Sequence, residues 1–262
     1  MTEPSFQTIR YERRPPAARI ILNRPEVRNA ITLQMAEELH AALLAAGADE
    51  RVRVVVLTGA DPAFCSGIDL VDHRGKSTLE FRTMLDTLYR RLQHAHATLG
   101  KPTIAALNGP ARGAGCTMAF MCDMIVAADT ASLGLPEVDR GLLPAYHLAY
   151  LPRLIGKPKA FELAFTGDPI SAAEAERLGI VNRVVPRVEL DAAVDALVAR
   201  LAGKSPLVMR IGKDAFYRVM DVEFEKAIAI AADALAILAA SADTQEGLTA
   251  FAEKRSPEWG NR

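Results

Sequence analysis

KPTIAALNGPARGAGCTMAFMCDMIVA, residues 101–127, holds one full repeat of the fold's construction. TIAALNG (103–109) is a short apolar run ending in glycine, which reads as a buried strand. ARGAGCTMAFMCD (111–123) starts as a glycine-rich turn and goes over into a helix, and MIVAAD (124–129) is a second buried strand. Outward from this unit the same alternation continues. VRVVVLTG (52–59) is another buried strand, and 6–11 and 19–22 read as two earlier ones. Between them, LNRPEVRNAI is a loop punctuated by Pro25 and Asn29, followed by an amphipathic stretch over 33–46. A helix is predicted around 81–98. Short strands alternating with helices describe a largely parallel, layered α/β sheet.

After Pro152 the pattern changes. LIGKPKAFELAFTG, SAAEAERLG, residues 188–202 and nearly everything after Lys204 read as helix, with GIVNRVV (179–185) the lone strand. The expected organisation is an α/β core over 1–200 and a helical region over 201–262. The apolar spacing Ile228, Ala231, Leu235, Leu238 implies that this tail packs on the core and on a neighbouring subunit.

Composition narrows the class but not the chemistry. Half of the 262 residues are hydrophobic and 24% charged, which excludes disorder and fibrous repeats. Thirty-one basic against 32 acidic residues give a net charge of -1, with no global pull toward nucleic acid or an acidic membrane. The most apolar helical run, 227–240, is broken by Asp233 and is too short to cross a bilayer. The N-terminal stretch carries Glu3 before any basic residue and no hydrophobic segment, so a secretory signal is not expected. Cys65, Cys116 and Cys122 are an odd number without CxxC, and read as buried thiols of a reducing, cytoplasmic setting. His94 and His96, two apart on a helix, point to different faces, so no metal site is expected. Neither G-x-G-x-x-G nor a P-loop occurs.

Two loops remain as candidates for chemistry. AFCSGIDL (63–70) and NGPARGAGCT (108–117) each place glycine beside exposed backbone at the end of a buried strand. Glycine permits positive φ and close approach of a ligand. A helix beginning near Ala114 presents free N–H groups and the positive end of its dipole. Two such turns facing each other can hold one carbonyl oxygen as negative charge develops on it.

The order and separation of IILNRPEVRNAIT, AFCSGIDL, KPTIAALNGPARGAGCTMAFMCDMIVA, LPEVDRGLLP, AFELAFTGDPISAAEAERLGIVNRVV and EGLTAFAEKRSPEW closely resemble the crotonase (enoyl-CoA hydratase/isomerase) family. The resemblance covers nearly the whole chain. It implies a spiral ββα core with a helical C-terminal region that closes the pocket and drives assembly into a trimer or hexamer. It also implies an acyl-CoA substrate, with coenzyme A as part of that substrate and no permanently bound cofactor. The near-neutral charge and the lack of an apolar span, not the resemblance, are the grounds for expecting no nucleic-acid or membrane partner.

Carried over residue by residue, the resemblance implies that the Ile68 and Ala114 backbone N–H groups form the oxyanion hole. Glu137 matches the second catalytic glutamate of the hydratases. The first falls at Thr117, where this sequence departs from the hydratase pattern. A threonine can position water or substrate but cannot act as a general base near neutral pH. The arrangement resembles the Δ3,Δ2-enoyl-CoA isomerases more closely, since they keep one acid at the Glu137 position and an uncharged residue at the Thr117 position. The extra aspartate of the dienoyl-CoA isomerases would fall at Ala145. Coenzyme A is expected along Val27, Arg28, Ala30, Ser66 and Asp69, with Arg28 able to reach a phosphate. Tyr146 and His147 stand where many relatives have a glycine-rich turn, and are expected on the acyl pocket or in a buried hydrogen-bonded role. Asp139 and Arg140 are expected to pair with each other. The leading expectation is an isomerase-like, single-carboxylate enzyme. The alternatives are a hydratase whose Thr117 and Glu137 share the water, and a catalytically weak acyl-CoA-binding homologue.

Overall fold

The structure is a computed structural model describing residues 5–261; Glu3 lies outside the described residues. A six-stranded sheet has the order β1-β2-β3-β4-β6-β9. These strands are β1 (Ile9–Arg14), β2 (Ala17–Leu22), β3 (Val54–Gly59), β4 (Thr103–Leu107), β6 (Met124–Ala128) and β9 (Arg183–Val185). All neighbours pair in parallel except β1 with β2. The parallel strands are covered on both faces, which is why VVVL, TIAAL and IVAA are apolar without alternation. A second sheet, β5-β7-β8, stacks Ala111–Arg112 (β5) beside Ser132–Gly134 (β7) and Ile170–Ser171 (β8). Sequence patterning misses this sheet because strands of two or three residues carry no periodicity.

Helix α1 (Leu33–Ala48) starts at Thr32, whose side chain accepts from the Met35 N–H, and packs Met35, Leu39 and Leu43 into the core. Residues 78–98 form one continuous rod from α3 (Thr78–Leu85) through a π-helical stretch (Asp86–Arg91) to α4 (Leu92–Thr98). It follows the single turn α2 (Leu70–His73). The glycine-rich turn of 109–113 leads into α5 (Ala114–Phe120), whose residues are all buried. Helices α6 (Ala145–Ile155), α7 (Lys157–Thr166) and α8 (Ala172–Arg177) follow. The first strand lies three residues later than the predicted 6–11, because its pairing is set by β2 across Ile9↔Leu22 to Arg14↔Ala17.

Helix α9 (Leu190–Ala202) buries Leu190, Val194 and Val198 against the sheet and so belongs to the core layer. Beyond it run α10 (Pro206–Val219), α11 (Phe224–Ala239) and α12 (Ala242–Glu253). Two polar devices tie this tail down. Lys213 and Tyr217 of α10 both reach Asp123, at 2.7 Å each, and Asp123 in turn accepts from Thr103 at the start of β4. Asp243 of α12 accepts from Ser205 and from the Gly260 N–H. Within one chain the expected stripe is only partly covered. Ile228, Ala231 and Leu235 of α11 are exposed, and its better-covered face is Ala227, Ile230, Ala234 and Leu238. In a helix this rich in alanine, leucine and isoleucine several stripes satisfy the same spacing, so the sequence did not select the one covered within the chain.

No single helix among the described residues is long and apolar enough to cross a membrane. The three cysteines are free and buried. His94 is exposed and His96 buried, and no group of metal-binding side chains gathers among the described residues.

Candidate active site

The two glycine-containing loops meet. The short parallel bridge Cys65↔Ala111, with the Arg112 N–H donating to the Cys65 carbonyl at 2.9 Å, holds them side by side. Gly67 sits at φ +96°, and a Cβ there would lie 2.8 Å from the Arg112 carbonyl oxygen and 3.5 Å from the Ala114 nitrogen. Glycine is therefore required both by the turn and by the closeness of the second loop.

Each loop leaves one amide free. The Ile31 N–H donates to the Gly67 carbonyl and the Asp69 N–H to the Ile31 carbonyl. That pattern turns the intervening Ile68 N–H to the other side, where it has no acceptor among the described residues. Ala114 is the first residue of α5, so its N–H has no intrahelical acceptor. The alanine methyl does not remove this donor.

Both amides line a cleft of about 800 Å³. Val27, Arg28, Ala30, Ser66 and Asp69 line it as well. Asn29 organises that wall from below, held at φ 58° and fully buried. Its side-chain amide donates to the Ala60 and Ala63 carbonyls, and its oxygen accepts from the Arg24 N–H. Arg24 bridges the two loops by donating to the Ala30 carbonyl and to Asp69, at 2.7 and 2.9 Å. Arg28 is exposed at the rim and has no carboxylate partner among the described residues. The opposite wall is apolar, built by Phe81, Leu85 and Tyr89 of the helical rod and by Leu142 and Leu143. The helix over 81–92 is readable as a pocket wall, but which of its side chains face the cleft, and the 142–143 pair, are not, because long-range packing alone turns them toward the amides. None of the lining residues lies in 201–262 of the same chain.

Glu137 reaches the cleft beside Ala114. It follows β7 and Pro136 and stands at the start of a 3-10 turn (Val138–Arg140). Its carboxylate lies on the backbone of Gly113, where a Cβ would be 2.8 Å from Oε1. Gly113, at φ +50°, thus serves turn geometry and carboxylate access together. Oε2 of Glu137 is buried without a hydrogen-bond partner among the described residues. Burial raises this carboxyl group above the ordinary glutamate range, against weaker opposition from a backbone N–H and Arg140. Tyr89, itself buried and facing the Glu137 charge, is pushed up to about 12 and stays protonated. Of the two carboxylates on the cleft wall among the described residues, Asp69 is tied to Arg24 and caps α2. Glu137 is the one left uncommitted.

Thr117, Tyr146 and His147 stand behind the cleft wall, Tyr146 and His147 in the second of their two expected roles, partly or wholly buried and hydrogen-bonded. Thr117 is fully buried on α5 and is not part of the cleft wall. Its Oγ1 is 3.1 Å from His147 Nε2, which also lies 3.2 Å from the Gly113 carbonyl oxygen. His147 is 1% exposed and faces Phe120 edge-on. Burial pushes it down to about 4, so it is neutral. Tyr146 donates to Gln93 and packs on Tyr89 and Tyr150, one layer behind the cleft. The reason is local: residues from Ala145 onward form α6 instead of an open turn, and the helix rotates its rings into an aromatic cluster. Ala145 itself lines the cleft. Asp139 and Arg140 do not pair with each other, since Arg140 donates to the Pro136 carbonyl and the Asp139 carboxylate lies against Gly167.

The sequence profile described as Enoyl-CoA hydratase/isomerase matches residues 13–262. The chain belongs to the enoyl-CoA hydratase/isomerase family. It is 36% identical over 253 residues to a crotonyl-CoA hydratase of Syntrophomonas wolfei, covering 96% of this chain and 97% of that one. It is also 36% identical over 248 residues to a 2,3-dehydroadipyl-CoA hydratase of Escherichia coli, covering 93% and 94%. Among solved structures, an enoyl-CoA hydratase of Bacillus anthracis superposes with a TM-score of 0.93 at 34% identity, covering 98% of this chain and all of that one. The layered α/β core with its helical C-terminal region is thus the crotonase fold, and the protein is an enzyme of this family.

Proposed function

We propose that this enoyl-CoA hydratase/isomerase family member moves the double bond of an enoyl-CoA by single-carboxylate proton transfer. The thioester oxygen would accept from the Ile68 and Ala114 N–H groups. Glu137 would take a proton from the α-carbon of a 3-enoyl thioester, and the electron pair would move onto that oxygen as an enolate. Return of the same proton from Glu137 to the γ-carbon would then give the 2-enoyl product, with no net change in mass. Two amides aimed at one oxygen would stabilise the enolate as its charge develops. Arg28, unpaired at the rim, is suited to a phosphate of coenzyme A.

The observation that carries this reading is the commitment of the cleft's carboxylates. Among the described cleft carboxylates Glu137 alone is free, and Thr117, which by the family resemblance takes the place of the hydratases' first glutamate, is buried and bonded to a histidine. A hydratase with one carboxylate is the second reading, and the naming of the S. wolfei and E. coli relatives as hydratases favours it. In either case, residues of the exposed α11 face are proposed to mediate self-association, and the buried thiols suit a reducing compartment. Mass spectrometry across a panel of 2-enoyl- and 3-enoyl-CoA thioesters separates the readings. Isomerisation without mass change on 3-enoyl-CoA supports the first. Faster addition of water (+18 Da) to crotonyl-CoA supports the second. Release of free CoA thiol would sink both.

A further inference from the structure

We propose that His147 is a positioning residue for the Ala114 amide, acting through the Gly113 carbonyl. Gly113 C=O and Ala114 N–H belong to one peptide plane and point in opposite directions across it. The carbonyl points into α5, where the Cys116 and Thr117 N–H groups donate to it at 2.8 and 3.2 Å. The N–H therefore points out of the helix toward the cleft. His147 Nε2 is the third group on that carbonyl, at 3.2 Å.

A carbonyl only accepts, so the ring nitrogen facing it carries the proton. Nε2–H then serves the Gly113 carbonyl and Thr117 Oγ1 together. Nδ1 is left as the bare nitrogen, in agreement with its burial without a partner among the described residues. Drawing density onto the carbonyl oxygen makes the N–H of the same amide a stronger donor, and hydrogen bonds in such chains reinforce one another. Edge-on contacts with Phe120 and Tyr146 fix the imidazole, so the donor cannot swing away. His147 and Thr117 thus occupy the place behind the site with a device that aims an amide instead of a second carboxylate that holds water.

The inference rests on Ile68 and Ala114 as the thioester site, and the test keeps the two apart. Butyryl-CoA labelled with 13C at its thioester carbonyl is saturated, so neither isomerisation nor hydration consumes it. Difference infrared spectroscopy of this complex reads carbonyl polarisation directly. In the unaltered protein the band moves to lower frequency on binding. In His147→Leu most of that contribution from Ala114 is lost, and kcat on whichever of a 3-enoyl-CoA and crotonyl-CoA the unaltered protein turns over faster falls about tenfold while KM stays within about twofold, less than the loss expected on deleting an oxyanion donor outright. His147→Gln, whose side-chain N–H reaches the same place, restores both. An unshifted band in the unaltered protein overturns the amide site itself and the inference with it. A shifted band that His147→Leu leaves unchanged, or a loss that His147→Gln shares equally, overturns the inference alone. Should His147→Leu not fold, 15N-histidine NMR of the unaltered protein decides the matter at pH 7. A protonated Nε2 with bare Nδ1 supports the device, and a proton on Nδ1 excludes it.

Discussion

Glu137 carries opposite demands on stability and activity. Its carboxyl is raised by burial, so the fold favours the protonated form. For a group raised in the folded state, stability is fully present below the unfolded pKa and is lost as pH rises through the folded one. The ionised base needed at neutral pH is therefore held at a cost. Glu137→Gln should lower kcat by about 10²–10⁴, the range for removing a positioned acid–base group, with acyl-CoA affinity nearly unchanged. The same variant should melt higher than the parent at pH 7.5, the difference vanishing near the ordinary carboxylate pKa of about 4. A parallel calorimetric and kinetic titration checks both signs. The acid limb of kcat/KM should also lie above the ordinary glutamate value, since the base must be ionised to take the first proton. A variant with full turnover would end the proposed mechanism.

At the scale of elements, the join between α10 and the sheet is the informative one. Lys213 is nearly buried and pairs with Asp123 at 2.7 Å, while Tyr217 and Thr103 share the same carboxylate. Removing one partner leaves a largely desolvated charge with no counterion, so Lys213→Met should destabilise by about 3 kcal/mol. Urea denaturation at pH 7 measures this. Replacing both ends, Lys213→Met with Asp123→Leu, should recover part of the loss, because the remaining cost is the unpaired carboxylate. The rod of 78–98 makes a second point at this scale. Its π-helical stretch changes the rotation of the chain per residue, and this is the segment that turns Tyr89 onto the cleft while Leu88 stays in the core. No hydrophobic periodicity announces such a stretch.

For the whole molecule, two buried neutral histidines shape the response to acid. His96 and His147 are both pushed down to about 4 by burial. A depressed group contributes stability that is present above its unfolded pKa and lost as pH falls toward the folded one. Between about pH 6.5 and 4, each should therefore steepen the loss of stability by about 1.4 kcal/mol per pH unit. Denaturation across that window should show stability falling as pH falls, and His96→Leu should reduce the slope by about one proton. A second prediction concerns assembly. Phe224, Ile228, Leu235 and Ile237 stand 75%, 53%, 68% and 63% exposed on one helix, and clustered exposed apolar side chains of this size mark association surfaces. Analytical ultracentrifugation should give a mass that is a multiple of one chain, reduced by Leu235→Glu with Ile237→Lys. A monomer in the unaltered protein would refute this.

Much of this was legible in order of residues along the chain. Apolar strands ending in glycine, the turn into α5 and the helical region after Pro152 follow from local physics: period, glycine permissiveness and strand burial act over a few neighbours. The glycine turns at Gly67 and Gly113 were readable for the same reason, whereas Ile68 and Ala114 as a pair came from the family resemblance, and the outward turn of the Ile68 N–H is set by its pairing with Ile31 far along the chain. Through the family resemblance, the amino-acid sequence also implied that a threonine, Thr117, stands where the hydratases carry their first glutamate. What Thr117 does instead was decided only by the tertiary structure, since its partner His147 lies 30 residues away. Tertiary packing likewise chose which stripe of α11 is covered, released Asp139 from Arg140, and drew Tyr146 and His147 off the cleft into the aromatic cluster. Hydrogen-bond partners and solvent exposure are properties of groups brought together from distant parts of the chain, and residue order alone does not carry their distances.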